Sequence, residues 1–191
     1  MNTFSDDEII RSVKEGRIQN FEILIDRYKK KIINFINKMI YDYDEAQNIA
    51  QDVFLKVYET LKRYKMEDNF SAFIFTIAKN LTLNYIKKSK RTVLFSSFFS
   101  QQTGEKHFRY EGRQEEHYQE NQNEERLIAA LKALNENQRL ALILKVYLDF
   151  SYNRIAEVTG WSIPKIETLI SRAKSNLKNN IFLQEKGSKD V

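Results

Sequence analysis

At 191 residues, 42% of them apolar, the chain is long enough for one domain or for two small ones. No apolar run approaches the roughly 20 residues that span a bilayer, and the absence of cysteine excludes disulfides, zinc ribbons and thiol nucleophiles. A formal net charge of +5 favours polyanionic partners.

Catalysis and cofactor chemistry have little support in the sequence. The two histidines, His107 and His117, lie in a polar segment and are too few for a metal cage, and the five glycines form no phosphate-binding loop. We therefore predict a protein that is not an enzyme and holds neither a metal nor a cofactor. The stretch NTFSDDEIIRS after Met1 lacks the basic start and apolar centre of a signal peptide, which predicts a cytoplasmic protein with no stable membrane insertion.

Charge is distributed in blocks along the chain. Residues 56–91 carry 9 basic and 3 acidic groups, and residues 127–178 carry 8 and 4. Between them, residues 92–126 carry 4 basic and 7 acidic groups. Two basic blocks separated by an acidic one indicate two contacts with a nucleic acid, because phosphate neutralisation by Lys and Arg drives such binding. Two ordinary solvated surfaces are the alternative, and charge alone leaves it open.

Helical patterns dominate the first 91 residues. Ser5 and Glu8 fit a capping box, and Gly16 provides a stop for the first helix. Apolar residues at helical spacing predict three more helices. The four predicted helices cover about 6–15, 19–40, 45–64 and 70–90, the third capped by Asp44 and Gln47 and the fourth by Asn69.

The second half begins with a predicted linker. Residues 92–123 are polar, rich in Gln and Glu, and lack an apolar period, so we expect a flexible linker. Helical patterns resume at about 124–134 and 136–148, the latter capped by Asn135. The predicted fold is all-α, with two small helical domains joined by a flexible linker. The predicted bounds are 1–91, linker 92–123, 124–183, and a disordered tail 184–191.

The stretch IAEVTGWSIPKIETLISRA predicts a helix-turn-helix. Ser151 caps a short helix, Gly160 takes the left-handed conformation that ends it, and Ser162 caps the helix that follows. The outer face of this second helix carries small polar groups and an arginine, as a helix in the DNA major groove requires. An ordinary helical hairpin with a solvated face is the alternative. The predicted DNA-facing residues are Pro164, Lys165, Thr168, Ser171, Arg172 and Ser175.

Two helices of the first domain also have distinctive outer faces. In DEAQNIAQDVFLKVYETLKRY, an exposed leucine among amide and acidic groups indicates a face for a partner protein, formed by Asn48, Gln51, Asp52, Leu55 and Glu59. In NFSAFIFTIAKNLTLNYIKKSKR, aromatic groups interleaved with lysines suit single-stranded nucleic acid. That face holds Phe75, Thr76, Lys79, Leu83 and Lys87, with Asn80 at its margin. Phe75 and Leu83 are equally compatible with extra core, and the helical wheel does not decide.

Three stretches resemble the sigma-70 family of bacterial transcription initiation factors, in its extracytoplasmic-function group. DEAQNIAQDVFLKVY is similar to the polymerase-binding helix of region 2, FSAFIFTIAKNLTLNYIKK to the promoter-melting helix, and ALNENQRLALILKVYLDFSYNRIAEVTGWSIPKIETLISRAKSNL to region 4. The resemblance covers roughly residues 18–91 and 125–179.

The resemblance implies a factor that binds core RNA polymerase and promoter DNA as a monomer on the enzyme, under control of an anti-sigma factor. Core polymerase would contact Asn48, Gln51, Asp52 and Leu55. The loop at about 64–69 and the 70–90 helix would open the minus-ten element, with Phe75, Thr76, Lys79, Asn80, Leu83 and Lys87 on its face. Region 4 would read the minus-thirty-five element.

Some positions depart from the family pattern. Glu167 and Leu169 stand where Lys and Arg are usual, which removes positive charge near the duplex, and Arg154 replaces an acid and adds attraction to phosphate. The sequence also admits two other functions. One is a helix-turn-helix regulator that acts without binding polymerase. The other is a protein-interaction module that uses the 45–64 face.

Overall fold

The computed structural model describes the backbone of residues 4–65, 69–103 and 121–187, and the side chains of 4–65, 69–92 and 126–181. The described residues form helices and no strands, which confirms the all-α prediction. The chain divides into two compact units, Met1–Glu111 and Gly112–Val191. The α-helices are α1 Asp6–Lys14, α2 Phe21–Ile40, α3 Tyr43–Thr60, α4 Phe70–Thr103, α5 Asn121–Lys132, α6 Glu136–Leu142, α7 Tyr152–Thr159 and α8 Ile163–Gly187.

The core of the first unit lies where α2, α3 and α4 pack together. It is built from apolar residues that recur every three or four positions on the inner side of each helix. The helix α1 covers one side, where Asp6 accepts hydrogen bonds from the Arg27 guanidinium and, at 2.6 Å, from the Tyr28 hydroxyl. Fully buried core residues include Ile10, Leu24, Ile32, Phe35, Ile36, Val53, Val57, Ile74, Phe75 and Ala78.

Local signals set most helix ends in this unit. The capping box of Ser5 and Glu8 is present, and Gly16 follows α1 with a φ of 102°. The predicted start of α3 was wrong by two residues: Asp42, not Asp44 or Gln47, caps the helix by accepting from the Glu45 N–H at 2.9 Å. The reason is that Tyr41 ends α2 in a left-handed conformation, φ 57°, so only Tyr41 and Asp42 separate the two helices and Asp42 directly precedes α3.

The helix α4 differs from its predicted form in length and in phase. Asn69 caps the helix as expected, because its Oδ1 accepts from the Ala72 N–H at 3.2 Å. The helical backbone continues to Thr103 rather than ending near residue 90. Helix therefore covers the start of the predicted linker, and residues 104–120, with His107 and His117, lie outside the described part. The side chains of the FSSFF cluster at 95–99 also lie outside it.

The buried side of α4 also differs from the one that helical spacing predicts, a stripe of Phe70, Phe73, Ile74, Ile77, Ala78, Leu81 and Tyr85. Phe75, proposed for the nucleic-acid face, is 1% exposed and packs edge-on against Phe35 with ring centroids 5.5 Å apart. Of the two readings left open for Phe75, the structure supports the core. Because α4 packs against both α2 and α3, it buries the face that carries Ile74 and Ala78 together with the adjacent one that carries Phe75 and Thr82. The half-buried positions include Phe73, Ile77, Leu81 and Tyr85, which the prediction had placed in the core.

The second unit is the helix-turn-helix body. Its fully buried residues include Leu140, Leu144, Ile155 and Ile166. A π-helical segment, Ile143–Tyr147, follows α6 where one regular helix to 148 was expected. A polar contact ties α6 to α8: the buried Gln138 accepts from Asn176 Nδ2 at 3.2 Å. The backbone of α8 reaches Gly187, past the predicted tail boundary at 184.

Candidate functional site

A groove lies between α2 and α3 in the first unit. It encloses about 600 Å³. From α2 come Phe21, Ile25, Lys29 and Ile33, and from α3 come Gln47, Asn48, Ala50, Gln51, Phe54, Leu55 and Tyr58. The walls are mostly apolar, with three side-chain amides and the Lys29 ammonium group among the lining groups, which is the composition of a site for an apolar side chain of a partner.

The rim of this groove carries exposed large apolar groups. Leu55 is 62% exposed and Tyr58 is 41% exposed, and both line the groove. The Tyr58 ring is held edge-on by Phe21, with centroids 5.3 Å apart. The groove therefore presents a preformed apolar edge whose wall residues are fixed by packing.

The four residues predicted for polymerase contact divide into two places. Asn48, Gln51 and Leu55 line the groove, whereas Asp52 is exposed on the outer side of α3 and does not line it. The Asn48 amide donates to Glu45 Oε2 at 3.2 Å. The α2 wall of the groove and Tyr58 were not predicted from the sequence. Ile25 and Ile33 were visible only as apolar residues at helical spacing, which does not tell a groove wall from core.

The second candidate surface is the exposed side of α4. Asn80 and Lys87 are exposed, while Thr76, Lys79 and Leu83 are half-buried. Burial lowers the pKa of Lys79, because the charged form loses solvation. The sequence from Asn69 to Gly104 carries five cations and no acid, so this helix presents a single sign of charge to a polyanion.

Aromatic rings hold the two ends of the loop before α4. The Tyr64 ring lies 5.8 Å from that of Phe70 and 5.1 Å from that of Phe73, and Phe70 packs on Tyr28 at 5.4 Å. Lys14 Nζ donates to the Tyr64 carbonyl at 2.5 Å. The loop predicted to read the minus-ten element is thus anchored at both ends, and its residues 66–68 lie outside the described part.

The third candidate surface is the outer face of α8. All six predicted residues of this helix are exposed: Pro164, Lys165, Thr168, Ser171, Arg172 and Ser175. The turn before it has the predicted geometry, with Gly160 at φ 72° and Ser151 capping α7. The Ser162 carbonyl accepts from the Ile166 N–H at 3.0 Å, which opens α8. On the inner side Ile166, Ile170 and Ala173 are buried, so packing fixes which face of α8 points outward.

Arg154 differs from these six residues. Its side chain is 26% exposed, its Nε lies 3.4 Å from Glu157 Oε2, and its guanidinium lies 6.0 Å from the Phe150 ring centroid. These contacts engage the guanidinium with residues of its own unit, and Arg154 lies on α7 rather than on α8. Its predicted contact with phosphate stays a prediction.

Neither a metal site nor a membrane span is found in the part of the chain that the structure describes. There, no group of three or more His, Cys, Asp or Glu side chains is arranged to hold a metal ion. Among the same residues, no helix combines the length and the apolar character that crossing a bilayer requires.

Comparison with known proteins identifies the two units. The sigma-70 region 2 family model matches residues 24–92 and the sigma-70 region 4 family model matches residues 124–177, together more than half of the chain. RNA polymerase sigma factor YlaC of Bacillus subtilis is 26% identical over 162 residues, which cover 85% of this chain and 92% of that protein. ECF RNA polymerase sigma factor SigW of the same organism is 35% identical over 81 residues, 42% of this chain and 43% of that protein.

A solved structure has the same fold. The sigma factor RpoE, in a complex with the anti-sigma factor NepR from Bartonella quintana, superposes with a TM-score of 0.69 at 23% identity over 85% of this chain and 97% of that one. The residues matched by the two family models contain the exposed side of α4, the outer face of α8 and every residue of the groove except Phe21. The chain therefore belongs to the sigma-70 family of RNA polymerase sigma factors, in its extracytoplasmic-function group.

Proposed function

We propose that this sigma factor binds core RNA polymerase through the groove between α2 and α3. The observation that carries the proposal is the exposure of Leu55 at the rim of a preformed apolar groove. Burying the side chain of this leucine would lower the free energy, and that happens only when a partner covers it. Asn48 and Gln51 would supply hydrogen bonds at the edge of the contact. Asp52, on the outer side of α3, would contribute at its periphery.

The helix α4 and the loop before it would open the promoter at the minus-ten element. Unpairing and flipping a base costs a few kcal/mol, which binding of the displaced strand must offset. Lys79 and Lys87 would attract the strand backbone, Asn80 and Thr76 would hydrogen-bond, and Leu83 would meet an unstacked base. The half-buried Lys79 would favour a phosphate, since it is poorly solvated where it stands.

The outer face of α8 would read the minus-thirty-five element as duplex DNA. Thr168, Ser171 and Ser175 are short enough to allow close approach to the base edges, and Arg172 can pair with guanine. Lys165 and Arg172 would add backbone contacts.

Such a factor acts in the cytoplasm, as a monomer on the polymerase, and does no chemistry itself. An anti-sigma partner is also proposed, since the similar RpoE was solved with one.

Polymerase binding is tested by placing a charge at the groove. Leu55→Asp would bury a carboxylate in the apolar contact, so we expect co-elution with core polymerase to weaken by at least tenfold. Phe4→Asp is the matched control, because Phe4 is similarly exposed, at 56%, and does not line the groove. Gel filtration of mixtures, with permanganate footprinting of promoter opening, measures both effects. Wild-type chain that fails to co-elute with core polymerase would refute the proposal.

The same experiment tests the alternative regulator. A helix-turn-helix regulator would bind duplex DNA equally well with and without core polymerase, and Leu55→Asp would leave its function intact. A sigma factor would lose promoter opening in that variant while its α8 face remained unaltered.

A further inference from the structure

The turn of the helix-turn-helix holds an aromatic ring beneath a cation. Lys165 Nζ lies 4.9 Å from the centroid of the Trp161 ring, within the range of a cation–π contact. Trp161 follows Gly160. The backbone N–H of Trp161 donates to Thr159 Oγ1 at 3.2 Å, which ties the turn to the end of α7. The ring is only half-buried and is not among the core residues of the unit, so burial alone does not account for a tryptophan here.

Lys165 lies at one edge of the outer face of α8. Successive helical residues are about 100° apart, so Lys165 and Arg172, seven residues apart, lie within about 20° of each other along one edge of the outer face. Glu167 and Lys174, which are both exposed, lie about 160° and 180° from Lys165, so their opposite charges offset each other on the other side. The positive charge beside the small polar residues of the face is therefore concentrated at the edge that Trp161 supports.

A free lysine side chain is a flexible stem with a strongly hydrated charge, and fixing it on a phosphate costs side-chain entropy. A ring that already holds the ammonium group removes part of that cost. A DNA phosphate can then approach from the solvent side, since Lys165 is exposed.

We propose that Trp161 is a positioning residue that holds Lys165 at the edge of the α8 face, ready to contact a phosphate of duplex DNA. The inference rests on the proposed role of α8 in duplex binding. It assigns to Trp161 an action through Lys165 rather than a contact of its own with DNA.

A double-mutant cycle tests the proposal. Holoenzyme assembled from core polymerase and full-length chain is titrated with labelled promoter duplex, for wild type, W161L, K165M and the double variant. We expect W161L to weaken binding about twofold to fivefold, the range of an exposed cation–π contact. K165M should weaken it at least as much and lower the salt slope of log K by about 0.9, one phosphate contact. W161L should add no further loss in the K165M background.

Three controls separate positioning from folding. W161F keeps a ring and should restore most of the affinity, and Lys132→Met removes an exposed cation of α5 outside the reading face and should leave binding near wild type. Thermal melts followed by circular dichroism check that each variant folds. Trp161 is the only tryptophan of the chain, so its emission in the free protein reports directly on the ion–ring contact and should change in K165M.

Losses that add in the double variant would overturn the proposal, since Trp161 would then act without Lys165. Equal affinity of W161L and wild type would overturn it as well. Failure of the proposed function is recognised differently, by wild-type chain that does not co-elute with core polymerase. In that case the same cycle on the free chain, with the binding of labelled duplex DNA as the signal, still decides whether Trp161 acts through Lys165.

Discussion

Leu55 and Phe75 are both large apolar residues of the first unit, but only Phe75 is buried. Phe75 is 1% exposed and meets the Phe35 ring edge-on, so it contributes to the core, whereas Leu55 is 62% exposed at the rim of the groove. Burying an aromatic or leucine side chain yields about 1.5–3 kcal/mol. Leu55 gains none of this in the free protein, which makes it available to a partner.

The burial of Phe75 predicts a loss of stability on its truncation. Phe75→Ala should lower the free energy of unfolding by about 3–5 kcal/mol, since it leaves a cavity against Phe35. Leu55→Ala, the matched exposed variant, should change it by less than about 0.5 kcal/mol. Urea unfolding followed by circular dichroism measures both values. Unaltered stability in Phe75→Ala would show that the ring is not part of the core.

At the scale of the helix, capping residues decide where several helices begin and end. The α1 helix is short, nine residues, and isolated helices of that length are marginal, so its capping box and its packing on α2 are both needed. Glu8 Oε2 accepts from the Ser5 N–H at 2.7 Å, and Ser5 Oγ accepts from the Glu8 N–H at 3.3 Å. The hydrogen bond from the Ser5 backbone is the main cause of a lowered pKa at Glu8, below the usual 4.5.

This lowered pKa predicts how the stability conferred by Glu8 changes with pH. A depressed pKa in the folded state stabilises the protein above the unfolded value of about 4.5, and the contribution is lost as pH falls through the folded pKa. The gap in thermal midpoint between wild type and Glu8→Ala should therefore be largest above pH 4.5 and should shrink in more acidic solution. Melts at pH 3 to 7 measure it, and a gap that does not vary with pH would contradict the capping role of the carboxylate.

At the scale of the whole molecule, the chain carries two separate cores. The first unit buries large side chains from four helices, among them Phe35, Phe75 and Met39. In the second, the fully buried set includes Leu140, Leu144, Ile155 and Ile166, with small residues such as Ala130 and Ala173 around them. Smaller domains bury a smaller fraction of their surface and are correspondingly less stable.

Separate cores predict separate folding. Fragments 1–111 and 112–191 should each be helical and unfold cooperatively, with the second melting at the lower temperature. Circular dichroism melts of the two fragments and of the intact chain test this, and the sum of the fragment curves should reproduce the intact curve. A fragment that is unfolded alone would show that its core depends on the other unit.

Features that depend on neighbours along the chain could be predicted from the sequence. Ser5, Asn69, Asn135, Ser151 and Gly160 act at helix ends as predicted, because capping and left-handed turns involve residues within a few positions of one another. The outer face of α8 was also predictable, since one side of that helix is plainly apolar and the other polar.

Features that depend on packing between helices could not be predicted from the sequence and follow from the fold. The predicted buried face of α4 left out Phe75. This helix is apolar on more than one side, and its packing on α2 and α3 selects which side is buried. The groove likewise needs two helices at a set distance, so its α2 wall could not be read from either helix alone. The contact of Lys165 with Trp161 depends on how the turn folds back, because only a specific bend brings the ring beneath the ammonium group.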